Sequence, residues 1–214
     1  MPNVRGFGGD ADAAPSASMS DYARDVLAAL DQLHITTAVI GGVSMGGYVA
    51  LALYRLAPER FSGLLLADTR ADADTEQVRA NRRRLSMLAE SAGAAAIADE
   101  MLPRLLGATT QASQPQLTRA VRDMICENST VAIQSALAAM MDRADSTDLL
   151  ATVRVPTLVV VGDEDALTPP ALSQDMAEAV SGARLVRVPA AGHLSNLEQP
   201  HAFNDAVTTC FGRR

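Results

Sequence analysis

The chain predicts an α/β architecture: a mostly parallel sheet flanked by helices and interrupted by an all-helical insertion. Three observations predict it. Apolar runs at residues 37–43, 63–68 and 155–162 are continuous rather than alternating, the pattern of strands covered on both faces, and a shorter strand is expected at 184–188. Helical periodicity separates the first two strands and the last two, and strands alternating with helices build a parallel sheet. Between residues 71 and 151 the texture changes to Ala, Leu, Met, Arg and Glu, with no strand-like run. The expected organisation is a core of residues 1–70 and 152–214, with 71–151 as a helical lid.

Residues 1–18 read as loop, with glycine at 6, 8 and 9 followed by Asp, Ala, Pro and Ser. Ser20 is placed to cap a helix reaching about residue 33, with Tyr22, Val26, Leu30 and Leu33 as its apolar stripe. A buried strand over 37–43 enters a Gly-rich turn, and a helix over 46–56 leaves it. Residues 57–60 (Ala-Pro-Glu-Arg) stop that helix, and GLLLAD at 63–68 is the second strand. Four helices are expected in the insertion, over 75–89, 92–106, 114–128 and 129–143, punctuated by Pro103 and Pro115. The third strand spans 155–162. Thr168 and Pro169 then suit the cap and first position of a helix to about residue 180. A fourth strand at 184–188 and a closing helix at 199–211 complete the chain.

Bulk properties narrow the function. The chain has 214 residues, 48% hydrophobic and 20% charged, with a net charge of −7. That balance argues against nucleic-acid or anionic-membrane partners, which select a basic face. No apolar run approaches a membrane span, and residues 1–17 carry no signal-peptide core, so a cytoplasmic protein is expected. Cys126 and Cys210 are far apart without metal-ligand spacing and read as free buried thiols. Three histidines leave little material for a metal site, and neither a metal nor an organic cofactor is expected. The absence of Trp argues against stacking platforms for bases or sugars.

The most informative stretch is Gly41-Gly42-Val43-Ser44-Met45-Gly46-Gly47. Gly-x-Ser-x-Gly matches by chance in roughly one chain in fifteen of this length, so context decides its meaning. Here a strand leads in and a helix leads out, the setting in which a serine becomes a nucleophile. Glycine at 42 and 46 removes side chains that would collide in so tight a turn. Ser44 is thereby held at an exposed, strained tip. The Met45 N–H, at a helix N-terminus, faces the place where an oxyanion would form.

A nucleophilic serine needs a base, and the base needs an orienting acid. Gly162-Asp163-Glu164-Asp165 follows the third strand, and Ala191-Gly192-His193 follows the fourth. Loops at the carboxyl ends of parallel strands share one edge of the sheet, so Ser44, the acidic loop and His193 are expected to converge there. The chain order Ser, acid, His is that of the α/β-hydrolases.

The chain resembles α/β-hydrolase-fold enzymes over nearly its whole length. The segments that carry the resemblance are RGFGG at 5–9, GGVSMGG at 41–47, VPTLVVVGDEDALTPP at 155–170 and AGHLSNLEQP at 191–200. Within that superfamily it is most similar to the enol-lactonase, esterase and cofactor-free haloperoxidase branch, 3-oxoadipate enol-lactonases above all. The resemblance implies a triad of Ser44, Asp165 and His193. It selects Asp165 through the pattern Gly-x-x-Asp, which leaves Asp163 and Glu164 as solvated loop charges. It also implies a four-helix cap and a small ester or lactone substrate, cleaved through an acyl-enzyme on Ser44. Perhydrolysis or C–C hydrolysis by the same triad, and a non-catalytic ligand-binding remnant, are the other readings.

Measured against the family pattern, RGFG belongs to the loop after the fourth strand and Ser44 follows the fifth. The family's first strands, and the His-Gly loop that gives a second oxyanion N–H, have no counterpart in this sequence. Losing one such donor typically costs roughly 10²–10³ in rate. The strand at 37–43 is then expected to be an apolar edge: the chain is read as an N-terminally shortened member of the family, or as one whose edge another chain covers, such as a second copy in a homo-oligomer, or as a longer protein given a misassigned start.

Weaker signals sit in the lid. Met87, Met101, Met124, Met140 and Met141 suit either a pocket wall or ordinary helix packing. Arg79, Arg82, Arg83 and Arg84 form either a solvated face or a partner for a substrate carboxylate. Asp68, Asp72 and Asp74 read as hinge and cap residues. His34 and His201 read as helix-end surface residues.

Overall fold

A computed structural model describes residues 5–7 and 18–212 of the chain. Among them, four parallel strands lie side by side in chain order: β1 (Ala38–Val43), β2 (Phe61–Ala67), β3 (Thr157–Gly162) and β4 (Arg184–Val188). Parallel neighbours require crossovers. Helix α2 (Met45–Leu56) carries β1 to β2, and α8 (Pro170–Ala179) carries β3 to β4. The crossover from β2 to β3 is the helical insertion: α3 (Glu76–Leu105), α4 (Ala108–Ser113), α5 (Pro115–Cys126), α6 (Thr130–Met141) and α7 (Thr147–Leu150).

The continuous apolar runs become alternating faces. Leu64, Leu66 and Val159 pack toward α1 (Met19–Gln32), α2 and α8, in one cluster with Tyr22, Leu51 and Met176. Ala67, Leu158 and Val160 turn to the opposite face, against Phe203 and Ala206 of α10 (Pro200–Phe211). Each such buried side chain contributes roughly 1.5–3 kcal/mol. All six residues of β3 are buried, as expected of a strand with helices on both sides.

The structure corrects several local expectations. Helix α1 begins two residues earlier than its sequence signal, because Ser18 rather than Ser20 caps it, accepting from the Asp21 N–H at 3.2 Å. The helix stops at Gln32, so Leu33 lies beyond its last turn and is 68% exposed, whereas Leu27 packs inward. Among the described residues β1 pairs only with β2 and leaves Val39 45% exposed; it is an edge, as the family pattern implies, rather than the buried strand its apolar run alone suggests. The first two insertion helices run on as α3, broken at Gly93, whose φ of 79° only glycine adopts without strain. Thr75 caps α3 through the Val78 N–H, so the aspartates before it are free for other work. The short helices α4, α7 and α9 (Ser195–Glu198) are additions to the expected elements. Cys126 and Cys210 are free thiols, half-buried rather than buried. No helix among the described residues is long and apolar enough to cross a membrane.

Candidate active site

The carboxyl ends of β1, β2, β3 and β4 open on one edge of the sheet, and the loops that leave them carry the site. Ser44 lies between β1 and α2 with φ 53° and ψ −115°. A non-glycine residue there costs on the order of 1–3 kcal/mol and persists only where surrounding contacts over-determine it. Those contacts are visible. The Ser44 N–H donates to the Ala67 carbonyl at 2.9 Å, and its own carbonyl accepts from the Gly47 N–H at 2.9 Å and the Thr69 hydroxyl at 2.7 Å.

The glycines flanking Ser44 divide the steric work unequally. A β-carbon on Gly42 would stand 2.5 Å from the Gly46 carbonyl carbon, and one on Gly47 would stand 2.5 Å from the Thr69 hydroxyl. A β-carbon on Gly46 meets nothing within 4 Å, so collision is not what places glycine there. Gly41 joins the constrained set, since a side chain would run into the Leu65 backbone.

His193 completes a chain of contacts. Its Nε2 lies 2.7 Å from Ser44 Oγ and its Nδ1 lies 2.9 Å from Asp165 Oδ2. Asp165 and His193 are both buried. Burial pushes the Asp165 carboxyl up, but the hydrogen bond and charge of His193 outweigh it, together with bonds from Thr168. The net effect holds Asp165 below the ordinary carboxylate range. An ionised Asp165 can only accept, so Nδ1 carries the proton and Nε2 is left to accept from the Ser44 hydroxyl. Thr168 is not a helix cap. Pro169 takes that position, while the Thr168 hydroxyl donates to Asp165 Oδ2 at 2.6 Å. The Leu167 and Thr168 N–H groups donate to Asp165 Oδ1 at 2.8 and 2.9 Å.

The other two acidic-loop residues have distinct roles. Asp163 pairs with Arg187 at 2.6 Å on the surface. Glu164 is no solvated charge: it accepts from the Thr109 N–H at 2.8 Å and from the Thr109 hydroxyl, tying the acid loop to the start of α4. Met45 is the first residue of α2 and lines the same cavity as Ser44. Its N–H has no intrahelical acceptor, as for every residue in a first turn.

A cavity of about 480 Å³ opens above Ser44 and His193. The insertion supplies its apolar wall: Leu85, Ile97 and Met101 from α3, and Ile133, Leu137 and Met140 from α6. Of the five lid methionines singled out in the sequence, Met101 and Met140 reach this wall, while Met87 and Met124 are 61% and 45% exposed. Of the four clustered arginines, Arg82 reaches it, joined by Arg70 and Arg104, which the sequence did not single out. Arg83 and Arg84 make surface pairs with Glu76 and Glu100. Asp74 is buried under Arg82, at 2.5 Å, and Arg143, whose guanidinium also lies 4.2 Å over the Tyr48 ring. Burial raises the Asp74 carboxyl, but the two arginines outweigh it and the net shift is down. No group of metal-ligating side chains is present among the described residues.

The model of the Alpha/beta hydrolase family matches residues 1–206. A curated relative, 3-oxoadipate enol-lactonase 2 of Acinetobacter baylyi, is 30% identical over 214 residues, covering 99% of this chain and 77% of its own length. The solved structure of a thermophilic esterase from Thermogutta terrifontis, with malate bound, superposes with a TM-score of 0.93 at 38% identity. It covers 97% of this chain and 77% of that one. The enol-lactonase from Burkholderia xenovorans superposes with a TM-score of 0.88 at 30% identity, covering 99% and 79%.

Proposed function

Since the chain belongs to the Alpha/beta hydrolase family, we propose that it is a serine hydrolase that cleaves a small carboxylic ester or lactone through an acyl-enzyme on Ser44. One observation carries the reading: Ser44 Oγ, His193 Nε2, His193 Nδ1 and Asp165 Oδ2 form a continuous chain with contacts of 2.7 and 2.9 Å. The cavity above them, about 480 Å³, is of the size that holds small molecules.

Ser44 Oγ attacks the substrate carbonyl carbon while its proton passes to His193 Nε2. Asp165 holds the ring in the required tautomer and stabilises the imidazolium. The Met45 N–H and the partial positive charge at the start of α2 stabilise the oxyanion. Collapse expels the alcohol oxygen, which takes the proton from Nε2. A water then attacks the acyl-enzyme with His193 as base, releasing the acid and restoring Ser44. Every step uses groups of this chain and needs no metal or organic cofactor.

Residues 71–151 act as the lid that walls the substrate, and Arg82 in that wall suits a substrate bearing a carboxylate. The free thiols Cys126 and Cys210 suit a reducing, cytoplasmic setting.

Intact-mass analysis after exposure to a fluorophosphonate tests the assignment. One adduct per chain is expected, and Ser44→Ala or His193→Ala should abolish it. A chain with native circular dichroism that takes no adduct would overturn the enzyme reading in favour of a ligand-binding module.

A further inference from the structure

Four consecutive N–H groups around His193 are all anchored. Gly192 donates to Glu198 Oε1 at 2.8 Å, His193 to the Leu105 carbonyl at 3.1 Å, and Leu194 to Glu198 Oε1 at 3.2 Å. Ser195 donates to Asp68 Oδ2, from its N–H at 3.3 Å and from its hydroxyl at 2.5 Å. Two of the four bonds end on Glu198, which is only 2% exposed. Its second oxygen, Oε2, accepts from the Gly107 N–H at 2.8 Å. Gly107 belongs to the insertion, between α3 and α4. One buried side chain therefore holds the residues on both sides of His193 and ties them to the lid.

A capping role alone leaves part of this unexplained. The Leu194 contact is local: the Glu198 carboxylate reaches back to the N–H of the residue before α9, as the acid of a capping box does, while the Glu198 N–H makes the ordinary helical bond to the Leu194 carbonyl at 2.9 Å. The Gly107 contact has no such local purpose, since 91 residues separate it from Glu198. The packing there leaves no slack. A β-carbon on Gly192 would run into the Gly107 backbone, and one on Gly107 would stand 2.8 Å from the Gly192 nitrogen. The lid and the histidine loop meet backbone to backbone, and Glu198 fastens the seam.

We propose that Glu198 is a positioning residue that sets His193 against Ser44 by locking the histidine loop to the lid at Gly107. The inference rests on the triad reading above. Glu198 touches neither Ser44 nor the imidazole. It acts through the backbone on either side of His193 and through the lid segment at the end of α3, whose Leu105 carbonyl also accepts from the His193 N–H. Glutamine is the informative replacement, because it has the same shape with one oxygen exchanged for an NH₂. It can accept on one side of the seam and must present donors to an N–H on the other.

The experiment compares wild type, Glu198→Gln, Glu198→Ala and His193→Ala on a p-nitrophenyl ester of a short acid, with fluorophosphonate labelling and thermal unfolding alongside. For Glu198→Gln we expect kcat to fall on the order of 10²-fold, the cost of a small misplacement at a reacting centre. KM should stay within about twofold, as for an interaction that matters only in the transition state. Amide hydrogen exchange at Gly107, Gly192 and Leu194 should speed up in the same variant. If Glu198→Ala does not fold, Glu198→Gln carries the test alone. A folded Glu198→Gln with wild-type kcat would overturn the proposal, as would a loss confined to KM or to the unfolding midpoint. Wild-type protein that neither labels nor turns over would instead overturn the serine-hydrolase reading, so the two failures are distinguishable.

Discussion

A methyl group at position 42 has nowhere to go, because the Gly46 backbone lies 2.5 Å from where its carbon would sit. The same methyl group at position 46 meets open space at the second position of α2. Gly42→Ala is therefore expected to destabilise the protein by about 1–3 kcal/mol, as overpacking does, and to displace Ser44. Gly46→Ala should be neutral or stabilise by about 0.5–1 kcal/mol, the ordinary gain of alanine over glycine in a helix. Chemical denaturation and fluorophosphonate labelling of the two variants check this; equal damage from both would contradict the steric division. The sequence motif treats these glycines as a pair, since it records spacing and not the direction in which each Cα points.

At the scale of elements, ion pairs hold the insertion at its entrance beside the Thr75 cap of α3. Asp74, ahead of α3, is paired with Arg82 of α3 and with Arg143, just beyond α6. Arg143 also donates to the Asp72 carbonyl at 2.6 Å and lies over Tyr48 of α2. Both Asp74 and Arg143 are buried. Removing one partner of a buried pair strands the other, which typically costs about 3–5 kcal/mol. Asp74→Ala should lose stability of that order, since two cations lose their counter-charge. Hydrogen exchange should localise the loosening to α3 and α6. Urea midpoints check the magnitude, and a change below about 1 kcal/mol would mean the pairs are solvated. The aspartates before α3 have a capping look in sequence, yet Thr75 does the capping and they serve packing instead.

For the whole molecule, one buried acid gives stability a dependence on pH. Asp68 follows β2 with φ 44°, fully buried, and binds β3 through the Gly162 N–H at 2.9 Å and the histidine loop through Ser195. Burial raises its carboxyl from 3.8 to about 7, against the opposing bonds from Ser195 and Gly162. Between those values the folded chain keeps a proton that the unfolded chain has lost. Its contribution is therefore fully present below about pH 4, and it is lost as pH rises through about 7. Asp68→Asn removes this dependence. The stability of wild type relative to Asp68→Asn should fall, by an amount on the order of a few kcal/mol, between about pH 4 and about pH 8. Urea midpoints of both proteins across that range read the difference, and a constant difference would contradict it. The same scale exposes β1, whose outer edge pairs with no strand among the described residues and carries no charge of its own.

Local sequence pattern marked the four strands, the helical insertion and the loops that carry Ser44 and His193, and the resemblance to α/β-hydrolases singled out Asp165. Those features are local or nearly so. Apolar continuity marks a covered strand, and Gly-x-Ser-x-Gly marks a tight turn. Loops after parallel strands share an edge, which places Ser44, the acidic loop and His193 on one side of the sheet across 149 residues; the choice within that loop came from the family pattern Gly-x-x-Asp. Tertiary structure alone decided what holds them. Thr168 looked like a cap and proved to bind Asp165, and Glu164 looked solvated and proved to hold Thr109. Asp68 closed an apolar run as any strand-ending charge might, and Glu198 stood five residues after His193 with no sign of its bond to Gly107. Glu164, Asp68 and Glu198 each take part of their role from a donor distant in the chain, and one-dimensional spacing carries no record of which backbone N–H groups folding will bury beside a carboxyl.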